Sequence, residues 1–249
     1  MVIAMELHMP AAALEFGLPK DSGALMRLLL PAAALLLAAA SHAGEIHDDF
    51  EGGSNPDLWS LSDAPGVIVV DGGNPGAWLS SEERFGYGID FRSVPQKGSP
   101  LAKALSDGLT SFAFDFQRQP TTCEQPGAYQ RLMLILTVTH GTPDDYDDDD
   151  FAYAFGDQVT DDIGVWMHES FEIPSDSPDL PPGWTGGYIE DPEHFRPGVT
   201  WADFIRQVDE VDVDTLSPFE FHVQGCYNAG IDSIVIGYAD NAIFANGFE

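Results

Sequence analysis

Three acidic residues stand at alternate positions in Glu210-Val211-Asp212-Val213-Asp214. Successive side chains of a strand point to opposite faces, so Glu210, Asp212 and Asp214 share one face while Val211 and Val213 take the other. Carboxyls held side by side can divide into an acid and a base, which is the chemistry of sugar-bond hydrolysis. The plain alternative is the solvated side of a half-buried strand. Elsewhere reactive signals are sparse. The chain has no nucleophile elbow, P-loop, dinucleotide fingerprint or zinc motif. His140, His168, His194 and His222 show no metal-ligand spacing. His168 and His222 are expected on strand faces, hydrogen-bonded or facing solvent.

The five tryptophans are the other candidates, because sugars dock on exposed aromatic faces. Trp59 and Trp201 read as core. Trp78 and Trp184 adjoin Gly- and Pro-rich turns, so they are expected to be exposed and to bind ligand. The run Asp144-Asp145-Tyr146-Asp147-Asp148-Asp149-Asp150 follows an apolar strand through Gly141-Thr142-Pro143. It lacks the loop glycine and closing glutamate of an EF-hand, and dense like charge reads as a solvated loop.

Two resemblances sharpen these readings. The Glu210–Asp214 segment resembles the Glu-x-Asp-x-(x)-Glu strand of laminarinase-type β-glucanases, which implies Glu210 as nucleophile and the last acid as proton donor. This chain departs from that pattern at Asp214, one methylene short, which moves the acid by about an ångström. Asp48-Asp49-Phe50-Glu51-Gly52-Gly53 with Trp59, Asp71-Gly72-Gly73-Asn74-Pro75-Gly76-Ala77-Trp78 and Gly230-Ile231-Asp232-Ser233-Ile234-Val235-Ile236 together resemble secreted bacterial jelly-roll modules of the carbohydrate-binding and laminin-B-like type. That resemblance implies a structural calcium between an acid of the first strand, Glu51, and one of the last, Asp232, with turn carbonyls completing the shell.

The elements that must position these groups have a period of two. Phe112, Phe114 and Phe116 alternate with Ala113, Asp115 and Gln117, and Phe219, Phe221 and Val223 alternate with Glu220, His222 and Gln224. Leu132–Val138 is almost continuously apolar and reads as a central strand. Further strands are expected at Gly66–Val70, Ala77–Ser80, Phe151–Phe155, Gly164–Ile173, Glu210–Asp214 and Ile231–Tyr238. One short helix is expected, with Trp201, Phe204, Ile205 and Val208 as its apolar stripe and Thr200 and Asp203 as a reciprocal cap. The fold class is therefore all-β, an antiparallel two-sheet β-sandwich of jelly-roll type spanning 44–240 with one short helix, followed by a tail at 241–249.

Residues 1–43 read as a signal peptide with an over-extended start. Arg27, the apolar run Leu28–Ala40 and Ser41-His42-Ala43 form its three parts. Export to the periplasm or beyond follows, and with it a disulfide between Cys123 and Cys226. Cleavage leaves no segment for membrane insertion. The net charge of −31 repels nucleic acids and anionic lipid, and it favours cations and basic partners. The functional expectation is a secreted, non-catalytic module that binds a surface or extracellular glycan. The alternatives are a glycoside hydrolase using Glu210 and Asp214, and an envelope or matrix domain that binds a protein.

Overall fold

Aromatic residues at every second position need a wall of apolar partners on one side only, and a pair of packed sheets supplies it. The computed structural model describes residues 43–239, apart from 62–63, 130, 143–145 and 216–223. Residues 1–42 of the expected 1–43 signal segment, the tail and the strand expected at Phe219–Val223 lie outside the described residues, while Ala43 is described as the start of a strand.

The strands are β1 (Ala43–Asp48), β2 (Val67–Gly73), β3 (Gly76–Ser80), β4 (Arg84–Gly86), β5 (Asp90–Ser93), β6 (Leu109–Arg118), β7 (Arg131–Val138), β8 (Asp150–Gln158), β9 (Met167–Glu172), β10 (Trp184–Tyr188), β11 (Glu210–Asp214), β12 (Gly225–Tyr227) and β13 (Ala229–Ala239). A six-stranded antiparallel sheet runs β2-β3-β13-β6-β9, with β1 also paired to β13. A five-stranded antiparallel sheet runs β10-β8-β7-β11-β5, and β4 and β12 form a two-stranded ribbon. The all-β sandwich holds.

Phe112, Phe114 and Phe116 of β6 are fully buried, as are Leu132, Leu134 and Leu136 of β7, and one hydrophobic cluster joins both sheets. β7 lies in the middle of its sheet, as its continuous apolar run requires. Trp59 and Trp201 are core residues, each 1% exposed. The strand expected from Gly164 is shorter. Its first residues form a turn, with Gly164 at φ 73°, and pairing begins at Met167.

Two helices are described, not one. α2 (Trp201–Ile205) has the expected cap, with Thr200 and Asp203 bonding each other's backbone N–H. α1 (Pro100–Asp107) was not expected. Ser99 Oγ accepts the Ala102 N–H, Pro100 opens the first turn, and Leu101, Ala104 and Leu105 bury one face.

Cys123 and Cys226 form a disulfide with Cα atoms 6.3 Å apart across 103 residues of sequence. It ties the 119–127 loop to β12. Among the described residues no helix is long and apolar enough to cross a membrane.

Candidate functional site

Val211 and Val213 are fully buried in the core, so Glu210, Asp212 and Asp214 project from the outer face of the five-stranded sheet. Register extends that face sideways. Asp212 stands between Arg92 of β5 and Ile135 of β7, and Ile135 faces Tyr153 of β8. Phe151, Tyr153 and Phe155 lie outward along β8, with neighbouring ring centroids 6.5 and 5.5 Å apart. One face therefore carries a row of carboxyls on β11 and a row of aromatic rings on β8, with β7 between them.

The carboxyl side of this face opens into a cleft of about 330 Å³, within the range of small-ligand sites. Its floor is Arg92, Glu210, Asp212 and Asp214, and its walls include Phe85, Tyr87 and Tyr146. These three aromatic side chains belong to residues 60%, 53% and 58% exposed. The Arg92 guanidinium makes a short contact to Glu210 Oε2 and donates to Tyr146 Oη at 3.4 Å, with its centre 6.0 Å from that ring.

Burial raises the Glu210 carboxyl, and its hydrogen bond to Arg92 opposes the shift. Burial, reinforced by the charges of Glu210 and Asp90, holds Asp212 well above the usual carboxylate range. Asp212 also hydrogen-bonds Glu210, while its Oδ1 has no partner. Asp149, at the start of β8, feels the Glu210 charge and is raised to about 6, chiefly by desolvation.

The expected exposure of Trp78 and Trp184 is overturned. They are 7% and 9% exposed. Gly230 leaves room for the Trp78 ring, since a Cβ there would collide with it, and the Trp78 Nε1–H donates to Asp71 O at 3.1 Å. Trp184 packs 5.1 Å from Trp201, and its Nε1–H donates to Glu172 O. Turn composition gave the wrong sign because the Trp78 ring lies over Gly230 of the neighbouring strand, while the Trp184 ring turns into the core to meet Trp201 and the backbone of the opposite sheet. The exposed aromatics of the cleft lie instead at and beside the β4 ribbon and in the acidic loop. Phe85 and Tyr87, spaced by a glycine, were the only signal for the former.

Glu51 and Asp232 do converge on one turn, but Glu51 lies in a 3-10 turn beyond β1, not in the first strand. Glu51 Oε1 accepts the Ala77 N–H at 2.9 Å, and Asp232 accepts the Asn74 N–H at 2.5 Å and the Ser233 N–H at 2.7 Å. Neither residue joins two further His, Cys, Asp or Glu ligand atoms within 4.8 Å, among the described residues. These carboxylates fasten the β2–β3 turn. Glu83 meets both cysteines, but their sulfurs are bonded to each other, and Glu83 accepts from Thr122 and Cys123 instead. His140, His168 and His194 each bond one aspartate, and His222 lies outside the described residues. Within the acidic run, Asp144 and Asp145 are also outside, while Asp150 opens β8 and takes Arg196 at 2.6 Å.

No protein family matches the chain, and no curated protein matches it. Among solved structures it is similar to SGBP-B from a complex xyloglucan utilization locus in Bacteroides uniformis, at 14% identity and a TM-score of 0.29. That likeness covers 73% of this chain and 49% of the other, so the chain spans about half of that structure. A structure with xylogluco-oligosaccharide is similar at 12% identity and a TM-score of 0.28, over 73% of this chain and 38% of the other. Cocksfoot mottle virus is similar at 9% identity and a TM-score of 0.20, over 98% of this chain and 100% of the other. Likenesses this faint leave function to be read from the chain's own residues.

Proposed function

We propose that this protein is a non-catalytic module that binds a glycan in the cleft above β5 and β11. The observation that carries the reading is the pairing of Phe85, Tyr87 and Tyr146, all more than half exposed, with a floor of fixed polar groups. Aromatic walls take the apolar face of a sugar ring, and carboxyl and guanidinium groups take its hydroxyls. Arg92 and Glu210 already hold each other, so the floor is organised before a ligand arrives. Export and a surface or extracellular glycan belong to the same reading, and the formed disulfide supports them.

The test is depletion of the protein from solution by a panel of insoluble polysaccharides. Selective depletion by one or two of them, lost in Tyr87→Ala and Tyr146→Ala, is the expected result. Depletion by none, or depletion that both variants retain, refutes the cleft as a glycan site.

A second reading, glycoside hydrolysis, is favoured by the shared burial of Glu210 and Asp212 in the same cleft. Two features weigh against it. Asp214 is one methylene shorter than the Glu of the glucanase pattern, which moves the acid by about an ångström. Glu210 is also already engaged by Arg92. Release of reducing ends by the wild type, lost in Glu210→Gln, would establish hydrolysis.

A further inference from the structure

The charge in the cleft is lopsided. Four carboxyls, Asp90, Glu210, Asp212 and Asp214, line it against two guanidiniums, Arg84 and Arg92, so acid exceeds base whichever pairs form. Register shows where like charges meet. Asp212 stands across from Arg92, whereas Asp214 stands across from Asp90. Directly opposed residues of an antiparallel pair have Cβ atoms about 4.5–5.5 Å apart, and like charges in that relation destabilise a sheet. Asp90 and Asp214 also bear on Asp212, and both push its carboxyl towards the neutral form.

The walls suit the same kind of guest. The face of an aromatic ring attracts a cation, and Phe85, Tyr87 and Tyr146 all line the cleft. Arg92 already lies on the Tyr146 side, where it also holds Glu210. Phe85 and Tyr87 lead into Asp90 along the chain and bring aromatic area to the opposed acids. A positive group placed there meets both carboxyls and rings. A neutral hydroxyl leaves the Asp90–Asp214 repulsion as it was, and an acidic sugar adds to it, as does the net charge of −31.

We propose that the cleft selects amino sugars whose amine is unacetylated and protonated, with the ammonium seated between the Asp90–Asp214 pair and the side chains of Phe85 and Tyr87. This rests on the glycan reading above and adds the class of sugar. Acetylation of the amine removes the charge that the cleft selects, and a uronate reverses it.

The protein is titrated calorimetrically, at slightly acid pH, with short oligomers of glucosamine, N-acetylglucosamine, glucose and glucuronate. The glucosamine oligomer is expected to bind about tenfold tighter than its acetylated counterpart and to lose that advantage as salt rises. A cationic oligomer also clings to any acidic surface, so cleft variants decide the matter. Tyr87→Ala should weaken its binding roughly 3–10-fold, and Asp214→Asn at least as much. Asp162→Asn, at an exposed position away from the cleft, should leave it unchanged. Melting curves confirm that each variant is folded. Glucosamine binding that both cleft variants retain overturns the proposal and reduces it to surface charge. A preference for glucose, N-acetylglucosamine or glucuronate that Tyr87→Ala abolishes overturns the selection by charge and leaves the glycan cleft standing. Binding of none of the four overturns both.

Discussion

Asp48 makes stability depend on pH in a way that one substitution isolates. Its carboxyl is raised from 3.8 to about 7, first by desolvation and then by Asp57. Because the folded form holds its proton more tightly than the unfolded chain, the stabilisation is fully present below the unfolded value and is lost as pH rises towards the folded one. The net charge approaches zero near the pI of about 4.1, where aggregation would obscure the low end, so the usable window is pH 5 to 8. Over that window the linkage amounts to about 2.5 kcal/mol, at 1.36 kcal/mol per unit. Asp48→Asn keeps the shape and removes the titration. Its urea-unfolding free energy relative to wild type should climb by that amount between pH 5 and pH 8. Asp149, raised to about 6, tilts both proteins alike and cancels in the difference. Parallel stability curves for the two proteins would refute the assignment of a trapped proton to Asp48.

Replacing Arg92 by Met should lower stability by about 3–5 kcal/mol at pH 7, since Glu210 is 3% exposed and loses its cation. Urea unfolding reads this, and no loss would mean that Glu210 is protonated in the native protein. Gly76→Ala should cost about 1–3 kcal/mol, because Gly76 sits at φ 85° and its new Cβ would strike the Glu51 carboxylate. The Tm of that variant against wild type checks it. Replacing both cysteines by serine should cost about 2–5 kcal/mol for a closure of this span, seen as a lower urea midpoint.

Periodicity and caps were legible where one physical demand acted alone. β6 alternates because one face meets the core, and α2 begins at Thr200 because two side chains satisfy amides that no helix can satisfy itself. α1 carried the same kind of signal, Ser99-Pro100 followed by an i, i+3, i+4 apolar stripe at Leu101, Ala104 and Leu105, inside a stretch that otherwise reads as loop. The carboxyl row of β11 was readable from its spacing. Its neighbours were not, because Arg92 joins Asp212's row through a pairing that spans 120 residues of chain, and Tyr153 joins it only through Ile135, itself 77 residues from Asp212, all fixed by sheet order. Trp78 shows the other limit: its burial depends on the missing side chain of Gly230, on a strand far away in sequence.

Ala43 and Ala239 are register partners at one end of the β1–β13 ladder. A pull applied through these two positions therefore opens the ladder from its end, one hydrogen bond after another, because the bonds of an antiparallel pair lie across the strands. Loading of this kind unzips a domain at far lower force than shearing would.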